Sequence, residues 1–362
     1  MRLSKAETKK RFFSGFRAVL TAGLLAAALS LAGCGSPEAR AMYEQAAKSL
    51  TDGDYAAAEK QFGEVIAAGE YVSESYRGLG LSQMYLQNFA EACINLEKSL
   101  LYMEGENKSF EQDVNLYLAY CRERHGEKEK AMEIYSELLQ EKEDPNIYFL
   151  RGKLYVEEEN AEAAVADFDK ASELSNDYDL FINIYEVYAG HGKNYDGSAY
   201  LEKALQVVNS SETDYYNKGL VYYYLQEYEN AKDNLIQAMN ENPDDGKAIL
   251  LLGRVYLSMN DLADARAMFN EHIVNDTNVA AAYDGLAMCD IAEENYESAL
   301  ANVQAGLARG NLEANKGLRF NEIIVYEHLK DWETAKQKAA DYVLMYPLDE
   351  AGMRENQFLS TR

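Results

Sequence analysis

Four histidines (His125, His191, His272 and His328) and four cysteines (Cys34, Cys93, Cys121 and Cys289) are the obvious candidates for nucleophilic or metal chemistry in this 362-residue chain. No histidine stands at i, i+4 from a second ligand on one helix, so no zinc pair is formed. No two cysteines have the spacing of a zinc or redox motif. No nucleophile elbow or phosphate loop is present. Asp244-Asp245-Gly246-Lys247 has a Gly-Lys pair but lacks the upstream glycine and the following Ser/Thr, so it reads as a turn between elements. The acidic run Glu157-Glu158-Glu159 reads as a solvated helix end. These residue types predict no enzyme, no metal and no cofactor. Once Cys34 is set aside, three cysteines remain, which cannot all pair with one another, and they are expected as small buried apolar side chains.

Cys34 has a different context. Residues 1–17 carry Arg2, Lys5, Lys9, Lys10, Arg11 and Arg17, and Ala18–Ala32 is uncharged and mostly apolar. Fifteen residues make about 22 Å of helix, short for a hydrocarbon core of about 30 Å. A basic start, a short apolar stretch and small residues at its end describe a secretory signal. Leu31-Ala32-Gly33-Cys34 resembles the lipobox of bacterial lipoproteins at all four positions. That resemblance implies a lipid on the Cys34 thiol and cleavage between Gly33 and Cys34. The alternative is an uncleaved anchor with a chance cysteine. Either way the rest of the chain is expected outside the cytoplasm, lipid-anchored to a bacterial cell membrane. The four residues Gly35–Glu38 reach roughly 14 Å when extended, so residues 34–38 are a short tether. The asparagine triplets beginning at Asn107, Asn209 and Asn275 match a glycosylation acceptor and are discounted beside a bacterial lipobox.

Charge narrows the partners. The chain carries 35 basic and 61 acidic residues for a formal net charge of −26, and the basic N-terminal segment accounts for part of the positive total. Such a surface repels nucleic acid and anionic lipid. It reads as a solubility device or as a preference for a cationic partner. With 48% hydrophobic residues and only 4 prolines, the chain is ordered and helix-rich rather than disordered.

The elements that position these residues repeat. An alanine recurs at Ala58, Ala92, Ala131, Ala164, Ala231, Ala265, Ala299 and Ala335, at intervals near 34 residues, and in most units a larger apolar residue stands three before it. The one double interval leaves room for a unit around Tyr195–Ala204. Four residues after each alanine stands another apolar side chain: Phe62, Leu96, Tyr135, Phe168, Leu235, Phe269 and Val303, with Ala339 in the last unit. Upstream lies a second apolar segment, as in Tyr76…Gly80, Tyr148…Gly152…Tyr155, Tyr215…Gly219…Tyr222 and Ile249…Gly253…Tyr256, spaced along one helical face. Polar turns separate the two segments, among them Thr51–Asp54 and Met259–Asp261, and Pro145, Pro243 and Pro347 follow the second segment.

This pattern closely resembles the tetratricopeptide repeat over residues 39–350, with nine units. The resemblance implies an all-α fold, a right-handed α-α solenoid whose concave face is lined by first helices. No unit buries its apolar face alone, so stacking supplies the core. Residues 105–112 form an insertion before the third unit, and residues 351–362 are expected to cap the last one. In the family, residues one, five and eight or nine after the first large position of helix one line the groove. Here they are Phe149 and Lys153; Tyr216, Leu220, Tyr223 and Tyr224; Leu250, Arg254 and Ser258; and Phe320, Ile324 and His328. In Tyr215–Ala231, Tyr215, Tyr222 and Tyr228 then belong to the fold, while Tyr216, Tyr223 and Tyr224 are surplus to it. For the groove set the alternatives are client contact and packing between neighbouring first helices. Tyrosines offer stiff contact area with a polar tip, which suits an extended peptide or a helix.

The expected function is a membrane-anchored extracytoplasmic scaffold that binds a protein or peptide client and no nucleic acid. The alternative is an assembly factor for an envelope complex of the secretion or outer-membrane type.

Overall fold

A computed structural model describes residues 36–191, 194–207, 213–275, 279–311, 314–346 and 349–361. The expected signal segment, Gly33 and Cys34 lie outside the described residues. Among the described residues there are nineteen α-helices and no strand. In chain order they are α1 Pro37–Asp52, α2 Tyr55–Ala68, α3 Val72–Tyr85, α4 Phe89–Leu101, α5 Lys108–His125, α6 Lys128–Glu141, α7 Pro145–Glu157, α8 Ala161–Leu174, α9 Tyr178–Gly190 and α10 Asn194–Gln206. There follow α11 Thr213–Tyr224, α12 Tyr228–Glu241, α13 Gly246–Ser258, α14 Leu262–Asn275, α15 Ala280–Ala292, α16 Tyr296–Leu307, α17 Lys316–His328, α18 Trp332–Met345 and α19 Glu350–Ser360. They make nine helix pairs and a single last helix. The chain divides into two compact bodies at Gly197/Ser198, inside α10. None of the described helices is long and apolar enough to cross a membrane.

In eight of the nine pairs the turn is set by one residue in the left-handed region. It is Gly53 (φ 85) and Gly126 (φ 93) in two pairs, but Gln87 (φ 65), Glu159 (φ 59), Gln226 (φ 62), Asn260 (φ 60), Glu294 (φ 61) and Lys330 (φ 62) in six others. An Asp, Asn or Glu follows at the start of the second helix, and in four pairs its side chain caps that helix. The Asp54 carboxylate accepts from the Ala57 backbone N–H and Asn160 from Ala163, so an orphan helix N–H is satisfied.

The recurring alanine is enclosed between the two helices in eight pairs. All eight alanines are fully enclosed, as are Phe62, Leu96, Tyr135, Phe168, Leu235, Phe269, Val303 and Ala339 four residues on. Phe269 shows how one unit joins the next. A Cβ added at Gly253 of its own pair would lie 2.7 Å from the Phe269 ring, and one at Gly285 in the following pair would lie closer still. One aromatic ring thus fills a slot floored by two glycines, in a cluster with Leu250, Ala265, Ala282, Leu286 and Cys289.

Residues 108–112, expected as part of an insertion, are instead the first turn of α5, an 18-residue helix. The Asn107 side chain accepts from the Phe110 N–H and starts the helix early, so only the segment before it is a loop. The last helix packs on α18: Leu359 is buried beside Ala339 and Tyr342, while Met353 and Phe358 are 40% and 43% exposed.

One polar feature was not expected. Asp290 occupies the place where Tyr155, Tyr222 and Tyr256 stand in other units, and it is buried. It accepts from Arg266 Nη2 at 2.7 Å, Ser298 Oγ at 2.9 Å and Asn302 Nδ2 at 2.7 Å.

Candidate binding surface

In the first body, the two expected groove residues both have partners within the protein. Phe149 is buried, with its ring 6.0 Å from that of Phe168, because the inner side of α7 is covered by its neighbours. Lys153 pairs with the Glu123 carboxylate of α5 and lies 3.9 Å from Glu157. Glu123 also accepts from Tyr135 Oη at 3.4 Å, and Lys128 reaches Glu157 at 2.6 Å. Burial pushes the Glu157 carboxyl up, but the Lys128 hydrogen bond and the Lys153 charge more than offset this and lower it overall. A client carboxylate would have to displace Glu123 or Glu157 to reach Lys153.

In the second body, the expected set splits. Leu220, Tyr223 and Leu250 are buried. These three, with Phe149, are corrected from groove contacts to packing residues. The physical reason is shared: successive first helices lie side by side, so a large side chain on the inner face is covered by the next helix. Tyr223 lies 6.0 Å from the Tyr224 ring and 6.2 Å from Tyr228. Tyr215 and Tyr222, expected as the buried half of that tyrosine stretch, are only half-buried. Tyr216, Tyr224, Arg254, Phe320 and Ile324 are half-buried and keep part of their surface towards solvent. Phe320 sets its ring 5.7 Å from that of Tyr342, so its inner edge belongs to the core. Ser258 and His328 are exposed, and His328 stacks on Tyr296 with centroids 4.6 Å apart.

The centre of this face is a residue not singled out in the sequence. Asp284 on α15 stands one residue after Tyr283, the position that gives Tyr216, Leu250 and Phe320 in the flanking units. Its Oδ1 accepts from Asn321 Nδ2 of α17 at 2.7 Å. Gly317 makes room for it, since a Cβ there would press on the carboxylate. Burial pushes the Asp284 carboxyl up to about 6, against the pull of the Arg254 charge and the Asn321 hydrogen bond. Three successive first helices therefore gather Arg254, Asp284 and Asn321 into one polar centre. The register rule applied to the eighth unit gives Asp284 directly; a lone aspartate among so many acidic residues did not stand out. Such a centre offers a carboxylate, a guanidinium and an amide, enough to hydrogen-bond a peptide but with no nucleophile and base in reach of each other. Among the described residues no three potential metal ligands come together.

Tetratricopeptide-repeat models match residues 113–141, 145–178 and 223–289. A TPR repeat-containing protein from Methanocaldococcus jannaschii is 26% identical over 264 residues, 67% of this chain and 45% of the relative, so the match spans less than half of that protein. Among solved structures, a tetratricopeptide repeat protein from Parabacteroides merdae is similar over 82% of this chain and 98% of its own, at 18% identity and TM-score 0.46. Another, YrrB, described as a TPR protein with an unusual peptide-binding site, is similar over 51% of this chain and 96% of its own, at 23% identity and TM-score 0.33.

Proposed function

We propose that this array of tetratricopeptide repeats is a non-catalytic scaffold that holds a protein or peptide client on the first-helix face of its second body, anchored outside the cytoplasm through a lipid on Cys34. Tetratricopeptide-repeat proteins bind protein or peptide partners, and that coarse role is the starting point. The observation that supports this face is the half-buried row Tyr216, Tyr224, Arg254 and Ile324 around the Asp284–Asn321 hydrogen bond. Partly exposed aromatics on a face that also carries a half-buried polar centre are the kind of feature that carries binding energy. The solenoid is taken as residues 39–350 and the last helix as its cap.

A photo-crosslinking residue at Tyr216 or Tyr224 should capture the client, while one at Glu229 on α12 should not. With the captured partner purified, Tyr216→Ala should weaken binding about tenfold. Equal capture at Glu229, or unchanged affinity in a folded variant, removes this face from consideration. The anchor is tested separately: Cys34→Ser should abolish lipid labelling and membrane retention, and persistent labelling would refute it. An envelope assembly factor would instead co-purify as a lasting membrane complex.

A further inference from the structure

We propose that Cys93 and Cys121 are a modification site: a thiol pair that closes to an intrachain disulfide on reaction with a small-molecule disulfide, locking the second unit to the third. The placement follows from the helix pair. On α4, Phe89, Cys93 and Glu97 are four residues apart and form one stripe. At one end of the stripe the Phe89 ring lies 6.5 Å from that of Tyr120 and 5.6 Å from the Arg124 guanidinium, both on α5. At the other end Glu97 pairs with Arg122 of α5. Cys93, between these contacts, lies on the side of α4 that packs on α5 near Cys121, and the Cys121 thiol is the largest influence on its titration. Both are free, and both are buried: Cys121 is fully enclosed and Cys93 is 7% exposed.

The outer thiol, Cys93, is the one a reagent meets first, since Cys121 is fully enclosed. The hydrogen bond donated by Cys121, with help from Arg122 and against burial, holds the Cys93 thiol below its usual range; the same bond keeps Cys121 protonated. The Cys93 sulfur attacks one sulfur of the incoming disulfide, forming a mixed disulfide and releasing the first thiolate, which takes up the Cys93 proton. The Cys121 sulfur then attacks the Cys93 sulfur, the Cys93–reagent bond breaks, and the second thiol leaves with the Cys121 proton. Two protein thiols are oxidised and one reagent disulfide is reduced to two thiols. The site does not depend on where the client binds.

Oxidised glutathione is the probe, used on the full chain carrying Cys34→Ser so that Cys93, Cys121 and Cys289 remain. Thiols counted after denaturation should fall from three to one, with the linked peptides containing Cys93 and Cys121. The unfolding midpoint should rise by several degrees on oxidation, since the bond closes a loop of the unfolded chain. Cys93→Ser and Cys93→Ala, checked for native helicity, should show no midpoint rise and keep both remaining thiols. Survival of all three thiols in the parent chain, a lasting glutathione adduct on Cys93, or a bond to Cys289 would overturn the proposal.

Discussion

Replacing Asp290 by alanine is the sharpest test of how the seventh and eighth units are held. The carboxylate is 3% exposed and receives three hydrogen bonds, from Arg266, Ser298 and Asn302. A hydrogen bond to a charged group contributes about 1.5–3 kcal/mol, and breaking a buried ion pair costs about 3–5 kcal/mol. Arg266 is 28% exposed and keeps Glu293 at 2.7 Å, so it can turn to that partner and to water. Ser298 and Asn302 lose an acceptor in a half-buried place. The lower end applies: Asp290→Ala should cost about 3 kcal/mol, and Asp290→Asn about half of that. Denaturant unfolding followed by circular dichroism gives the stability, and the Arg266→Ala/Asp290→Ala double-mutant cycle gives the coupling. A loss below about 1 kcal/mol for Asp290→Ala, or a coupling below about 0.5 kcal/mol, would show that the ion pair is incidental to the joint.

The slot around Phe269 predicts a contrast between two glycines. Gly285→Ala drives a Cβ into the ring and should destabilise by about 2 kcal/mol or more, whereas Gly63→Ala, which meets nothing within 4 Å, should be neutral or stabilising by up to about 1 kcal/mol. Equal effects at the two sites in the same unfolding assay would contradict the packing described. Asp284 predicts a pH dependence. Its carboxyl is raised in the folded protein from 3.8 to about 6, so the folded state binds the proton more tightly. Stability should therefore fall as pH rises between about 4 and about 6, by up to about 3 kcal/mol from this group, and level off above that. Asp284→Asn should flatten this part of the profile; an unchanged slope in the variant would refute the assignment.

The repeating alanines and their apolar partners could be read from the sequence because a packed helix pair needs a small residue at one fixed point. That requirement leaves a similar spacing in eight of the nine units; in the fifth, Ser198 stands where the alanine would fall. The groove was harder to read. Whether Leu250 or Tyr223 meets a client or a neighbour depends on the size of side chains in the adjoining unit, which spacing along one helix does not report. Asp290 and Asp284 look like ordinary surface charges in so acidic a chain; only the arrival of Arg266 or Asn321 from another helix distinguishes them. Cys93 and Cys121 match no motif because two stacked units, rather than a short loop, bring them together. The insertion expected over residues 105–112 is helical from Lys108 because the Asn107 side chain caps α5 there.

The Phe269 slot also says where such an array can be ended. Gly352 of α19 lies under Tyr342 as Gly285 lies under Phe269, and the last helix leaves no further partner of its own among the described residues. Among the described residues α19 is half a repeat: a first helix that covers the open side of the Tyr342 ring. A shortened version cut after a complete pair would leave that ring facing water. One cut a helix later, or with residues 349–361 transplanted behind α14, would keep the terminal seat filled. The working module for engineering this chain is therefore a second helix with the first helix that follows it, offset by half a period from the unit that the sequence displays.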